Sequence, residues 1–414
     1  MFDQPTNRRR FLYASGSTAF AIGIGSALPD CFAQAAESAT SDGERILVVV
    51  QLSGGNDGLN TLIPYRDDAY RAARPTLAVP RSDVLTIDDD IGFHPSLRSI
   101  KDLLDGGQVA VVQGVGYENP NRSHFESMDI WHSCVRKDQR RTDGWIGRTL
   151  ERFTSAEGGD VPALHLGGQQ QPFALASQSI RVPTVKELDE FQIRGSDPAA
   201  LRRLLGGSPS VAAVEASDDD LLGFLQSSTQ NAISASRRVT EAAQGYQTEI
   251  DYPESQLGRQ MRLVAQLINA GMKTRVYYLQ LDGFDTHAQQ DATHAILLRQ
   301  WSDAVSALIN DLTAQGHGDR VCVMTFSEFG RRVAENASAG TDHGAAGPMF
   351  LCGGGLHAGL IGTTPRLDDL QQGDLKHTVD FRSVYASVLK DWLGTDPDPV
   401  LAGHYDTLPL FAGA

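Results

Sequence analysis

The stretch "VVVQLSGGNDGLN", residues 48–60, begins as a strand, with Val48, Val49, Val50 and Leu52, and breaks at once into Ser53, Gly54, Gly55, Asn56, Asp57 and Gly58. An unbroken apolar run of this kind suits a strand covered on both faces, as in a parallel sheet. Asn, Asp and Gly reverse a chain without any further role. Open α/β sheets, however, also carry their chemistry at the carboxyl ends of strands. The acid and amide after this strand are therefore turn residues or site residues, and other parts of the chain must decide.

Working outward, the first strand is expected over 45–52, and similar apolar runs at 108–115, 163–166, 274–281, 320–326 and 348–352. Helical periodicity falls between them, at 95–105, 123–133, 254–271, 288–315 and 380–393. In the fourth of these, Ile296, Trp301, Val305, Leu308, Ile309 and Leu312 recur at spacings of three to five and mark a packed stripe. Alternating strands and helices predict an α/β fold, a mostly parallel sheet with helices on both faces. Residues 185–253 lack a strong strand and carry a polar helical pattern from about 218 to 245, which predicts a helical cap or insertion.

The N-terminus reads as an export signal. "NRRRFLYASGSTAFAIGIGSALP" sets Arg8 and Arg9 before Phe11 and Leu12 and a mildly apolar run, a twin-arginine pattern that names the twin-arginine export machinery as a partner. Small polar residues dilute that run too much for a stable membrane span. "FAQA" at 32–35 supplies the cleavage site, so residues 1–35 are the expected signal peptide and 36–414 the mature α/β domain, periplasmic or secreted. Removing three arginines and two aspartates from the totals of 36 basic and 51 acidic residues leaves 33 and 49, a net charge of −16. Such an acidic chain argues against binding nucleic acid through its phosphates. Cys134, Cys322 and Cys352 form no CxxC pattern; buried thiols are expected, with a disulfide as the alternative.

Four strand ends carry polar clusters: "SGGNDG" after the first, "GFDTH" with Asp285 and His287 after the fourth, "SEFGR" with Glu328 and Arg331 after the fifth, and "TDHG" with Asp342 and His343 before the sixth. Asp282 lies beside Asp285 as a competing acid. Carboxylates and imidazoles gathered on one sheet edge are the ligand types of divalent cations. The expected cofactor is therefore one or two divalent metal ions, zinc, manganese or another, held among Asp57, Asp282, Asp285, His287, Glu328, Asp342 and His343. In "GYENPNRSHFESMDIW", Ser123 opens a helix beside Arg122. Ser123 and Glu126 match a capping box, S-x-x-E, yet a hydroxyl at a helix N-terminus also meets an anion well. Arg122 and Arg331 are candidate oxyanion clamps, with ordinary salt bridges as the alternative. His94 is read as helix-start packing, with orientation of a ligand as the alternative, and His124 either helps Ser123 or lies on the helix surface.

The motifs "QLSGGNDGLNTLIPY", "GVGYENPNRSHFESMDIW", "LDGFDTH", "FSEFGRR" and "TDHGAAGPMFL", in this order, resemble the exported bacterial family known as domain of unknown function 1501, from about Ile46 to Leu393. That family is similar in fold to the alkaline phosphatase and sulfatase superfamily, which holds two divalent metals at the carboxyl edge of a mostly parallel sheet. The resemblance implies Asp57, Asp285, His287, Glu328 and His343 as ligands and Ser123 as nucleophile. A small or polymeric anionic ester is the implied substrate. The Cys- or Ser-x-Pro-x-Arg context of formylglycine sulfatases is missing, since "SDPAA" at 196–200 lacks the arginine, and this favours phosphate-type over sulfate esters. A binding or assembly protein that kept the fold but lost turnover is the rival expectation.

Overall fold

The computed structural model describes residues 44–153, 161–168, 170–185 and 246–412. The expected signal segment, residues 1–35, and nearly all of the expected insertion at 185–253 lie outside the described residues. The main sheet comprises β1 (Ile46–Ser53), β2 (Val109–Gly116), β3 (Ala163–Leu166), β4 (Thr184–Val185), β5 (Val276–Asp282), β6 (Val321–Phe326), β7 (Gly347–Gly353), β8 (Gly359–Ile361) and β9 (Val379–Asp380). Its order is β8-β2-β7-β6-β1-β5-β3-β4, with β9 also pairing β2. Every pairing is parallel except those of β7, which runs antiparallel to β2 and β6. All six strands expected from the apolar runs are present.

The side-chain alternation of β1 assigns the two cores. Val48, Val50 and Leu52 face one side, where they join Ile100, Met261, Val264, Leu298, Trp301 and Val305. Those partners come from α3 (Arg98–Asp105), α6 (Gln256–Asn269) and α7 (Gln290–Ala314); two short helices, α1 (Gly58–Thr61) and α2 (Asp68–Ala73), precede them. Leu47 and Val49 face the other side, against Trp131 of α4 (His124–Ser133), Trp145 of α5 (Trp145–Leu150) and Phe381 and Tyr385 of α8 (Phe381–Ser387). Helices thus cover both faces. Trp301, Val305, Leu308, Ile309 and Leu312 are buried as the stripe predicts, whereas Ile296 turns outward, 58% exposed. The three described cysteines are free and buried. Cys352 belongs to the first core and Cys322 to the second, so these neighbours point to opposite faces and cannot pair.

Register brings the polar clusters together. Ser53 of β1 stands level with Asp282 of β5, and Gln51 with Phe326 of β6, so the loops after all three strands leave one edge at similar height. Because β7 is reversed, its first residue, Gly347, lies at the same edge, opposite Val115 of β2. The "TDHG" cluster before β7 and the start of α4 after β2 arrive there too. No helix among the described residues is long and apolar enough to cross a membrane.

Candidate metal centre

Backbone shape positions the loops first. Gly54 has φ +117, and a Cβ there would stand 2.3 Å from the Asp285 backbone nitrogen. Only glycine lets the loop after β1 press against the loop after β5 in this way. The Gly54 N–H, in turn, donates to Glu328 Oε1 at 2.8 Å.

The centre of the cluster is one oxygen, Asp285 Oδ1. It lies 3.0 Å from His287 Nε2, 3.0 Å from His343 Nε2 and 3.5 Å from His124 Nε2. His287 Nε2 and His343 Nε2 are 2.9 Å apart. His124, Asp285 and His343 each place a ligand atom within 4.8 Å of the others. Each imidazole is fixed from behind through Nδ1: His124 to Glu328 Oε1 at 2.9 Å, His287 to Asp342 Oδ1 at 3.2 Å, and His343 to the Arg122 carbonyl at 2.8 Å. An acceptor on Nδ1 fixes the ring and turns the Nε2 lone pair forward, the usual support of a metal-binding histidine.

These residues fit a divalent ion. Ligand atoms held about 2.0–2.1 Å from a tetrahedral zinc stand about 3.3 Å from one another, and the spacings above bracket that value. A single carboxylate oxygen cannot satisfy three imidazoles and a guanidinium equally, and His124 Nε2 is buried without a hydrogen-bond partner. Electrostatics agree with a site kept ionised. Partial burial pushes the Asp285 carboxyl up, but hydrogen bonds from Arg331 and His343 and the Arg331 charge win and hold it at about 2. The hydrogen bond to Glu328 raises the His124 pKa, against the effect of burial.

Of the expected ligands, Asp285, His287 and His343 meet directly, and Asp285, not Asp282, occupies the acid position. Asp342 reaches the cluster through the back of His287. Glu328 stands in the right place but one layer out. It is 2% exposed, engaged by Gly54, His124 and Ser327, and serves to hold His124. Asp57 does not join the cluster. It caps α1, and its Oδ2 lies 2.6 Å from Nη1 of the fully buried Arg74. Gln290 Nε2 also donates to Oδ2 and the Asn60 N–H to Oδ1, so both carboxylate oxygens are engaged away from the cluster.

The catalytic candidates also change character. Arg331 is 2% exposed and donates to the carbonyls of Gly54, Gly55, Phe284 and Thr341 as well as to Asp285, so it holds loops together and is not free to clamp an oxyanion. Arg122 pairs with Asp374. Ser123 is exposed and makes no side-chain cap, while Glu126 turns to Arg141 at 2.7 Å, so the capping box does not form. Its hydroxyl remains uncommitted beside His124. His94 is a helix-start residue, its Nδ1 accepting from Ser96 N–H at 3.1 Å.

The carboxylate behind His124 gives a direct test. Glu328→Gln keeps the shape but weakens the hold on Nδ1, and metal affinity is expected to fall about 10–100-fold, measured by competition with a chromophoric chelator. Unchanged affinity would remove Glu328 from the support of the site.

The chain resembles several solved structures at low identity. It covers 92% of its own length and 75% of the PsFucS1 sulfatase from Pseudoalteromonas sp., at 10% identity and a TM-score of 0.36. For the C-terminal periplasmic domain of EcEptC from Escherichia coli the shares are 88% and 87%, with 11% identity and a TM-score of 0.38. For the lipoteichoic acid synthase LtaP from Listeria monocytogenes they are 84% and 80%, with 10% identity and a TM-score of 0.34. At these values each is a likeness only, and the chemistry of the site rests on its own residues. No curated protein matches the chain. The model of one family does match, across residues 44–408, and the chain belongs to that family, described as protein of unknown function (DUF1501).

Proposed function

We propose that this chain is an exported, metal-dependent hydrolase or transferase acting on phosphate-type esters, with sulfate esters the less favoured class. One observation carries the reading: three imidazoles, each held through Nδ1, turn Nε2 toward the single oxygen Asp285 Oδ1. His124, Asp285, His287 and His343 would hold the ion, zinc, manganese or another. A bound divalent ion supplies Lewis acidity, which lowers the pKa of a hydroxyl or water and offsets charge on a departing oxygen.

The remaining work belongs to the chain. Ser123 presents its hydroxyl at the start of α4, and the N–H groups of that first turn favour an anion held in front of them. Attack by Ser123 Oγ on the ester centre would form a seryl ester and release the alcohol, and water or a second alcohol would then regenerate the hydroxyl. Glu328 and Asp342 keep His124 and His287 turned inward. Passage through the twin-arginine machinery in a folded state suits a chain that takes up its metal before export.

A non-catalytic binding or assembly role is the second reading. It is favoured by the engagement of both neighbouring arginines, Arg122 with Asp374 and Arg331 with carbonyls and Asp285. The two readings separate on protein exported by its native host and analysed for metals, then assayed on phosphomonoesters, phosphodiesters and sulfate esters. The enzyme reading expects turnover that falls by about 1,000-fold or more in Ser123→Ala with the bound metal unchanged. Full turnover in that variant would take the serine out of the reaction; a metal-loaded wild type inert on every ester would favour the binding role.

A further inference from the structure

Beside the cluster lies a cavity of about 400 Å³, walled by the turn that leads into α4 and by the segment around residues 371–375. That is within the range of about 300–1,000 Å³ typical of small-molecule sites. It adjoins the candidate metal centre through Arg122, whose backbone carbonyl fixes His343 and whose side chain forms the cavity wall with Asp374. Ser123 follows Arg122 in the chain but does not itself line the cavity.

The wall has a definite chemistry. Asn119, Asn121, Gln371 and Gln372 offer carboxamides, each a donor and an acceptor at once. The side chains of Asn119, Gln371 and Gln372 are exposed and make no hydrogen bond to other described residues, so they are open to a ligand's hydroxyls in place of water. Arg122 donates to Asp374 Oδ2, and Arg332 Nε lies 3.9 Å from Asp374 Oδ1, so both guanidiniums at this wall are drawn to one buried carboxylate. Asp374 Oδ1 is buried and lacks a hydrogen bond, with the Arg332 guanidinium as its ion-pair partner. Asn119 at φ +49 and Gln372 at φ +55 both hold left-handed backbone, a conformation that costs a glutamine energy and tends to persist at functional sites.

We infer that this cavity is a subsite for a neutral, hydroxyl-rich group, a sugar or polyol, forming the non-reacting part of the ester substrate. Hydroxyls donate and accept together, and so match a wall of unpaired carboxamides. An anionic group would have to compete with Asp374 for Arg122 and Arg332, and an acyl chain would strand the amides without partners. The link between the sugar and the reacting ester rests on the proposed function; the saccharide binding itself does not.

The test is therefore made on metal-stripped full-length mature protein. It is labelled, applied to an array of neutral and anionic glycans, and its neutral hits are titrated by calorimetry. Neutral glycans should be retained, with affinity at least tenfold weaker in a Gln371→Ala, Gln372→Gly double variant of unchanged melting temperature; glycine suits the positive φ at 372. Blank neutral spots, binding confined to anionic glycans, or binding undiminished in the folded double variant would each overturn the inference. If that variant melts early, Gln371→Ala alone must weaken binding at least threefold, and no loss there also overturns it. Saccharide binding with no turnover on any ester would leave the subsite standing and sink only the enzyme reading.

Discussion

Asp285→Asn is expected to lose the metal. The substitution keeps the size and the contact with Arg331 but removes the charged oxygen on which three imidazoles converge. Changing a residue that only supports a ligand costs about 10–100-fold in affinity, and losing the central anionic ligand should exceed the upper end of that range. Elemental analysis after dialysis should find the ion stoichiometric in the wild type and near background in the variant. Near-native circular dichroism is expected, because Asp285 is half exposed and lies outside both hydrophobic cores. A variant that retains the full complement of metal would place the ion elsewhere.

The second large effect falls on stability. Asp57 and Arg74 are both buried, and Arg74 also donates to Asn60 Oδ1 and to the carbonyls of Arg332 and Val333. Removing one partner of a buried ion pair strands the other, at a cost of about 3–5 kcal/mol. Asp57→Ala should therefore unfold at clearly lower denaturant concentration while its folded fraction still binds metal with wild-type affinity. Loss of metal affinity without loss of stability would return Asp57 to the ligand set.

The same pair carries a pH dependence. Burial pushes the Asp57 carboxyl up, but the charge and hydrogen bond of Arg74 outweigh it, and the folded pKa lies below the ordinary value of 3.8. A depressed carboxyl contributes stability that is complete above its unfolded pKa, about 3.9, and is lost as pH falls through the lower folded value. Chemical unfolding curves of the wild type should show this acid loss from about pH 5 to about pH 2; Asp57→Asn should be less stable near neutral pH and lose less on acidification, so that the two curves approach each other.

The strands and helices were legible because burial on both faces imposes long apolar runs, and the loops after β1, β5 and β6 announce themselves as polar breaks in those runs. Their convergence could be anticipated from a parallel sheet, but the reversal of β7, which brings His343 to the same edge, is a matter of pairing that no local pattern reports. Asp57 looked like a ligand because its partner, Arg74, sits seventeen residues away on the far side of α2. Glu328 has the residue type and strand-end position of a ligand, and only the contacts of its oxygens with the Gly54 N–H and His124 Nδ1 set it one layer out. His124 was passed over because one histidine inside a helix start has no spacing signal; the available hint was that it follows Ser123 in a cluster rich in the same residue types. Capping residues likewise look alike whether or not the cap forms, and here Arg141 competes successfully for Glu126.

The central claim is that imidazole nitrogens and one carboxylate enclose a cation at this edge of the sheet. X-ray absorption spectroscopy of the metal-loaded protein addresses it most directly. The predicted result is an inner shell of nitrogen and oxygen at about 2.0–2.2 Å, with the outer-shell scattering of two or three imidazoles, weakened in His343→Ala. An all-oxygen shell with no imidazole signature would contradict it.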